Sequence, residues 1–140
     1  MSTIVLIGRI LFALLFINSG INHFTKLEAM TGYAKYKKLP AAKLGVMLSG
    51  LMILAGGLFI LLGVWADLGG LLIGVFGIIA AFIFHNFWKE TDATAKMNES
   101  IAFFKDLALA GAALMVFGLV ARHGDIAFGW HLGNHLNFFK

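Results

Sequence analysis

Two apolar stretches, residues 44–64 and 68–88, are separated only by Trp65, Ala66 and Asp67. A helix that crosses a bilayer needs about 20 mostly apolar residues. Two such stretches joined this tightly point to an antiparallel helical hairpin that crosses a membrane twice. Similar stretches flank it, at about 3–24 and 101–120. Only 13% of the 140 residues are charged and 60% are hydrophobic, whereas a soluble domain carries about 25% charged residues. The expected fold is therefore an all-α membrane protein. Residues 1–120 should form a four-transmembrane-helix antiparallel bundle, and residues 121–140 an interfacial tail. The first stretch does not read as a cleavable signal, because Arg9 lies inside it and no small-residue cleavage pattern follows.

Glycine punctuates the hairpin at Gly45, Gly50, Gly56, Gly57 and Gly63, then at Gly69, Gly70, Gly74 and Gly77. In water each would weaken a helix by up to about 1 kcal/mol. In a bilayer they let backbones approach, and Gly70-x-x-x-Gly74 has the small-residue spacing of packed helices. Packing within the bundle is the expected use; the seam of a homo-oligomer is the alternative.

The first loop, residues 25–42, mixes Lys26, Lys35, Lys37 and Lys38 with Tyr33 and Tyr36. Such a mixture suits a short helix at the headgroup level. It should end before Pro40, because the residue ahead of proline avoids helix. The third loop, residues 89–100, offers Asn98 as N-cap of helix four. Four spans put these two loops on one side, with Lys26, Lys35, Lys37, Lys38, Lys43, Lys89, Lys96 and Lys105. Arg9, Arg122 and Lys140 belong to the other side. The positive-inside rule then places both loops in the cytoplasm of a bacterial-type inner membrane and both termini outside. The formal charge of +4 reads as topology and attraction to anionic lipid, not as a nucleic-acid signal.

Polar residues inside membrane helices tend to face a bundle interior or a pathway. Asn18, Asn22 and Lys26 recur in one row of helix one, with Ser19 and His23 in the next row. His85, Asn86 and Trp88 end helix three on the same side, and Lys105 and Asp106 enter helix four there. These nine residues, Asn18, Asn22, His23, Lys26, His85, Asn86, Trp88, Lys105 and Asp106, form a candidate ligand pocket. Amide, imidazole and ammonium groups beside aromatic rings suit a ligand with carbonyl oxygens and an apolar body, such as a quinone or another lipid-like molecule. For any one of them the competing role is structural: a wet helix end, a helix-to-helix hydrogen bond, or an aromatic-belt anchor at Trp88.

Arg9 and Asp67 fall near the opposite side and are expected to form a structural ion pair. In the tail, His131 and His135 stand four residues apart, but interfacial anchoring by its aromatic and leucine side chains is expected there, with no metal site. The chain has no cysteine, so thiolate metal sites and iron–sulfur clusters are excluded, and redox chemistry would need a bound cofactor or a partner subunit.

Taken in order, Gly8-Arg9-Ile10, Phe16 through Ile21, Gly32-Tyr33 to Leu39-Pro40, His85-Asn86-Phe87-Trp88 and Phe103 through Leu107 resemble the DoxX family. The resemblance runs from Gly8 to about Gly118, and its most specific piece is the His-x-Phe-Trp element. It implies a small four-helix membrane protein. The family's namesake is the membrane subunit of a thiosulfate:quinone oxidoreductase, and other members are described as parts of membrane stress-response complexes. Where the family often has Lys-Asn, this chain has Lys105-Asp106. The expectation is a quinone- or lipid-binding membrane subunit that works with an oxidoreductase partner and is not catalytic alone. The alternatives are a non-enzymatic scaffold or chaperone-like membrane protein and, further off, a small-molecule or lipid transporter.

Overall fold

A computed structural model describes residues 2–124, 132–136 and 138. It contains five α-helices: α1 (Ser2–Thr25), α2 (Leu27–Tyr36), α3 (Ala42–Leu62), α4 (Ala66–Phe84) and α5 (Ala93–His123). A 3₁₀ turn, Phe87–Lys89, joins the last two. Helices α1, α3, α4 and α5 are long and apolar enough to cross a membrane. At about 1.5 Å per residue, the 21 residues of α3 and the 19 of α4 extend about 31 and 28 Å, close to the hydrocarbon thickness. The 31 residues of α5 extend about 46 Å, so this helix overshoots the apolar layer.

The α3–α4 hairpin is tighter than hydropathy alone shows. Gly63, at φ 68°, ends α3 in the left-handed conformation that glycine adopts without a steric penalty. Val64 N–H reaches back to Phe59 O at 3.1 Å, and α4 begins at Ala66. Asp67 therefore sits in the first turn of α4, fully buried, where a carboxylate favours the helix N-terminus; its Oδ1 accepts Leu68 N–H at 2.9 Å. Arg9, only 4% exposed, meets the end of α3. Its guanidinium donates to Ile60 O at 3.0 Å and Leu61 O at 2.8 Å, carbonyls that a terminating helix leaves without partners. A cation there also opposes the negative end of the helix dipole. Part of the tail closes the same end: Leu132 N–H donates to Leu62 O, Trp65 N–H to Asn134 O, and Ala66 N–H to His135 Nδ1. His131 lies outside the described residues, as do residues 125–130.

The short helix expected before Pro40 is present as α2. It follows α1 through Lys26 alone, with Lys26 N–H on Asn22 O and Met30 N–H on Lys26 O, so the chain bends while its hydrogen bonding continues. It ends in a Schellman turn, with Lys38 N–H on Lys35 O and Leu39 N–H on Ala34 O. Lys38, at φ 60°, occupies the position that glycine usually fills. The apolar accompaniment of that motif is present too, since Leu39 packs on the small core of Ala34, Ala42 and Val46.

Two boundaries differ from expectation. Helix four begins at Ala93, eight residues earlier than hydropathy indicated, and its N-cap is Asp92, whose side chain accepts Ala95 N–H at 2.8 Å. Asn98 lies inside the helix. The segment from Ala93 to Ser100 is polar but rich in good helix formers, and such a segment needs no apolar face once it leaves the bilayer. Helix three stops at Phe84, leaving His85 to Trp88 in the connection to α5.

The main packing pairs are α1 on α3, α3 on α4 and α4 on α5. The central core joins Phe16, Ile53, Ile60, Ile73, Ala113 and Val120. Glycines make these contacts possible. A Cβ on Gly69 would lie 2.7 Å from Gly56 O, and one on Gly70 would lie 2.6 Å from Ala113 O. The Gly70-x-x-x-Gly74 face is thus used within the bundle, against α5.

Candidate functional site

At the end where α2 lies, the bundle is open. A cavity of about 710 Å³ is bordered by α1, α2, α3, α4 and the first half of α5. Its walls are mostly apolar, among them Phe16, Val46, Met52, Phe76 and Leu109. Its size falls in the range of small-molecule pockets, roughly 300–1,000 Å³. Leu15, Leu48 and Ile79 border it and are about half exposed, so the space is reached from the side of the bundle.

His23 is the polar group contributed by α1. It is 6% exposed, and Gly50 of α3 makes room for it: a Cβ there would lie 2.5 Å from His23 Cβ. The ring edge faces Phe76 at a centroid distance of 6.2 Å. Nδ1 lies 2.7 Å from Ser19 O, one turn back. A carbonyl only accepts, so Nδ1 carries a proton, which in a neutral ring leaves Nε2 as an acceptor.

Opposite it, His85 caps the end of α4 between two carboxylates of α5. Nδ1 is 2.9 Å from Glu99 Oε2 and Nε2 is 3.4 Å from Asp106 Oδ2. Glu99 and Asp106 are two helical turns apart and so share a face of α5. His85, Lys105 and Asp106 border the cavity, whereas Glu99 does not.

Around this trio, α2 is tied to the α4–α5 connection. Lys37 donates to Asn86 Oδ1 at 3.0 Å, lies 3.8 Å from Glu90, and sits over the rings of Tyr33 and Tyr36. The Tyr33 hydroxyl donates to Phe84 O at 3.1 Å, and its ring stacks on Phe84. Partial burial, reinforced by Glu99, Glu90 and Tyr36, pushes the Tyr33 phenol up to about 12, so it remains a hydrogen-bond donor through the neutral range.

Of the nine residues singled out in the sequence, His23, His85, Lys105 and Asp106 border the cavity. Asn86 is one step removed, holding Lys37. Asn18 and Lys26 are exposed and Asn22 half-buried, on a row of α1 turned away from the cavity. Trp88 is 47% exposed and belongs to an aromatic cluster with Phe82, Phe87 and Phe103. Sequence reasoning missed Glu99 and Tyr33. The seven-residue spacing of Glu99 and Asp106 was the available signal, but it has meaning only once residue 99 is known to be helical. Among the described residues, no group of three or more His, Cys, Asp or Glu is placed to hold a metal ion.

Fold and site together define a small helical membrane protein, four spans wide, with a side-opening apolar cavity that is polar at one end. The chain belongs to the DoxX family, whose model matches residues 4–86. That match covers α1 to α4 together with His85 and Asn86; Glu99, Lys105 and Asp106 lie beyond it. The chain is also similar to the "Inner membrane protein YqjF" of Escherichia coli (strain K12), at 30% identity over 112 residues, 80% of each chain. No solved structure matches.

Proposed function

We propose that this chain is an inner-membrane protein that binds a quinone or a similar lipid-soluble aromatic ligand in the cavity, as the membrane subunit of an oxidoreductase complex. The observation that carries this reading is the cavity itself: apolar walls open at the side, with His23, His85, Lys105 and Asp106 gathered at one end. Such an arrangement suits a flat ring with polar edges and an apolar tail that stays in the bilayer. The Nε2 atom of His23 offers an acceptor, Lys105 a donor, and the His85–Asp106 pair either, so the polar set fits a quinone or its hydroxylated form. Asn86 acts through Lys37, and Trp88 anchors the connection near the headgroups. Arg9 and Asp67 are kept as structural charges of the opposite end. Electrons would come from a partner, because the chain has no cysteine for a cluster of its own. Inner-membrane placement follows the relative's name, and the lysine-rich loops are assigned to the cytoplasm by the positive-inside rule.

Tryptophan quenching by menadione tests the site in purified protein. Affinity should fall about tenfold, equivalent to about 1.4 kcal/mol, in His23→Ala and in His85→Ala. Unchanged binding in both variants removes the cavity as the ligand site. If menadione does not bind the wild-type protein at all, the scaffold reading takes its place.

A further inference from the structure

His85 stands between two carboxylates, of which Asp106 borders the cavity and Glu99 does not. Glu99 lies two turns nearer the start of α5, about 10 Å along the helix axis and away from the apolar core. Each imidazole nitrogen faces one of them, Nδ1 at 2.9 Å and Nε2 at 3.4 Å. The three side chains are each only partly exposed, between 19% and 27%. A neutral imidazole carries one N–H and an imidazolium two, so the ring can donate to one carboxylate or to both. Glu99 Oε2 is at hydrogen-bond distance from the ring, and Asp106 Oδ2 at 3.4 Å is its ion-pair neighbour on the other side.

We propose that Glu99, His85 and Asp106 form a proton relay between the aqueous face beside the α4–α5 connection and the cavity, with Glu99 as its entry. In one transfer, the O–H bond at Glu99 Oε2 breaks and an N–H bond forms at His85 Nδ1. As Asp106 Oδ2 closes from 3.4 Å to hydrogen-bond distance, the N–H bond at Nε2 breaks and an O–H bond forms at Oδ2. The ring stays neutral, changes tautomer, and one proton has moved from Glu99 to Asp106; no electrons change hands. Lys105 on α5, Tyr33 and Lys37 on α2, and Glu90 in the connection are the other titratable groups around the trio, and His23 of α1 borders the same cavity. The relay rests on the proposed function only for the identity of what exchanges the proton in the cavity; the trio and its orientation stand without a ligand.

The deciding experiment needs no ligand. Full-length protein with ¹⁵N-labelled histidine, in nanodiscs, is titrated by NMR through about pH 5 to 8. Wild-type His85 should respond in two coupled steps. Glu99→Gln and Asp106→Asn should each abolish one step and move the remaining midpoint by about one pH unit or more. Because Glu99→Gln removes a charge beside the ring, a static ion pair would shift the midpoint too. The relay further requires tautomer exchange, read as averaged Nδ1 and Nε2 shifts in the wild type, and two separate, fixed ring-nitrogen shifts overturn it. Glu99→Asp should restore the second step. In a second arm, the pH dependence of menadione affinity should flatten in Glu99→Gln. If menadione does not bind the wild type, the cavity reading fails, and the histidine titration still decides the relay.

Discussion

The two ends of the bundle handle polar groups in different ways. At the α3–α4 turn, Arg9 and Asp67 both bond to backbone. Arg9 holds the last carbonyls of α3, Asp67 accepts an N–H in the first turn of α4, and the tail covers the turn between them. At the other end, beside the backbone contacts of His23 and Tyr33, ionisable side chains meet one another. Lys37 meets Asn86 and Glu90, while His85 meets Glu99 and Asp106 around an open cavity. A backbone partner cannot change protonation, so contacts of the first kind hold the fold. Ionisable partners can exchange protons, so those of the second kind can do chemistry as well as hold shape.

The largest expected effect lies at the closed end. Arg9→Ala strands two backbone carbonyls and should cost about 3 kcal/mol or more of stability, read as denaturant unfolding in detergent, with ligand affinity per folded molecule unchanged. A variant that unfolds like the wild type would show that the carbonyls find other partners and the contrast between the ends is false. Gly70→Ala comes next, because its new Cβ meets the backbone of α5; about 1–3 kcal/mol should be lost, again without a change in affinity. At the open end the pattern should invert. His85→Ala should weaken menadione binding about tenfold while unfolding stays within about 1 kcal/mol of wild type. A loss of stability on the scale of Arg9→Ala would make His85 a strut and merge the two ends into one class.

The smallest effect is expected at Tyr33. Its phenol titrates at about 12 in the folded protein and at 10.0 when unperturbed, so between these values the folded state binds more protons than the unfolded one. Its contribution to stability is present in full below about pH 10 and declines as pH rises toward 12. Melting temperature against alkaline pH should fall less steeply in Tyr33→Phe than in the wild type; parallel curves would show that the environment of Tyr33 does not differ between the two states.

What was legible in the sequence follows the same division. Hydropathy exposed the four spans and the tight hairpin, while Pro40 and the lysine–tyrosine mixture marked α2. These signals are local or depend only on the bilayer. The candidate site was legible in part, because side-chain types and topology put His23, His85, Lys105 and Asp106 at one end. The face of α1 that turns inward was not legible. Asn18 and Asn22 form the more conspicuous row, yet contacts with α3 decide the rotation. Gly20 fits against Leu54 and Gly50 leaves room for His23. Glu99 was hidden for another reason. The first turns of α5 are stabilised by an Asp92 cap and by helix propensity, neither of which produces an apolar pattern.

The unequal lengths of the helices have a consequence for depth. The α3–α4 pair is only as long as the hydrocarbon layer is thick, and its end is the residue before His85. A bilayer matched to this pair would leave the imidazole near its edge, with the extra turns of α5 rising beside it like a mooring post. A molecule dissolved in the bilayer would meet this group without surfacing, and water would meet it without entering.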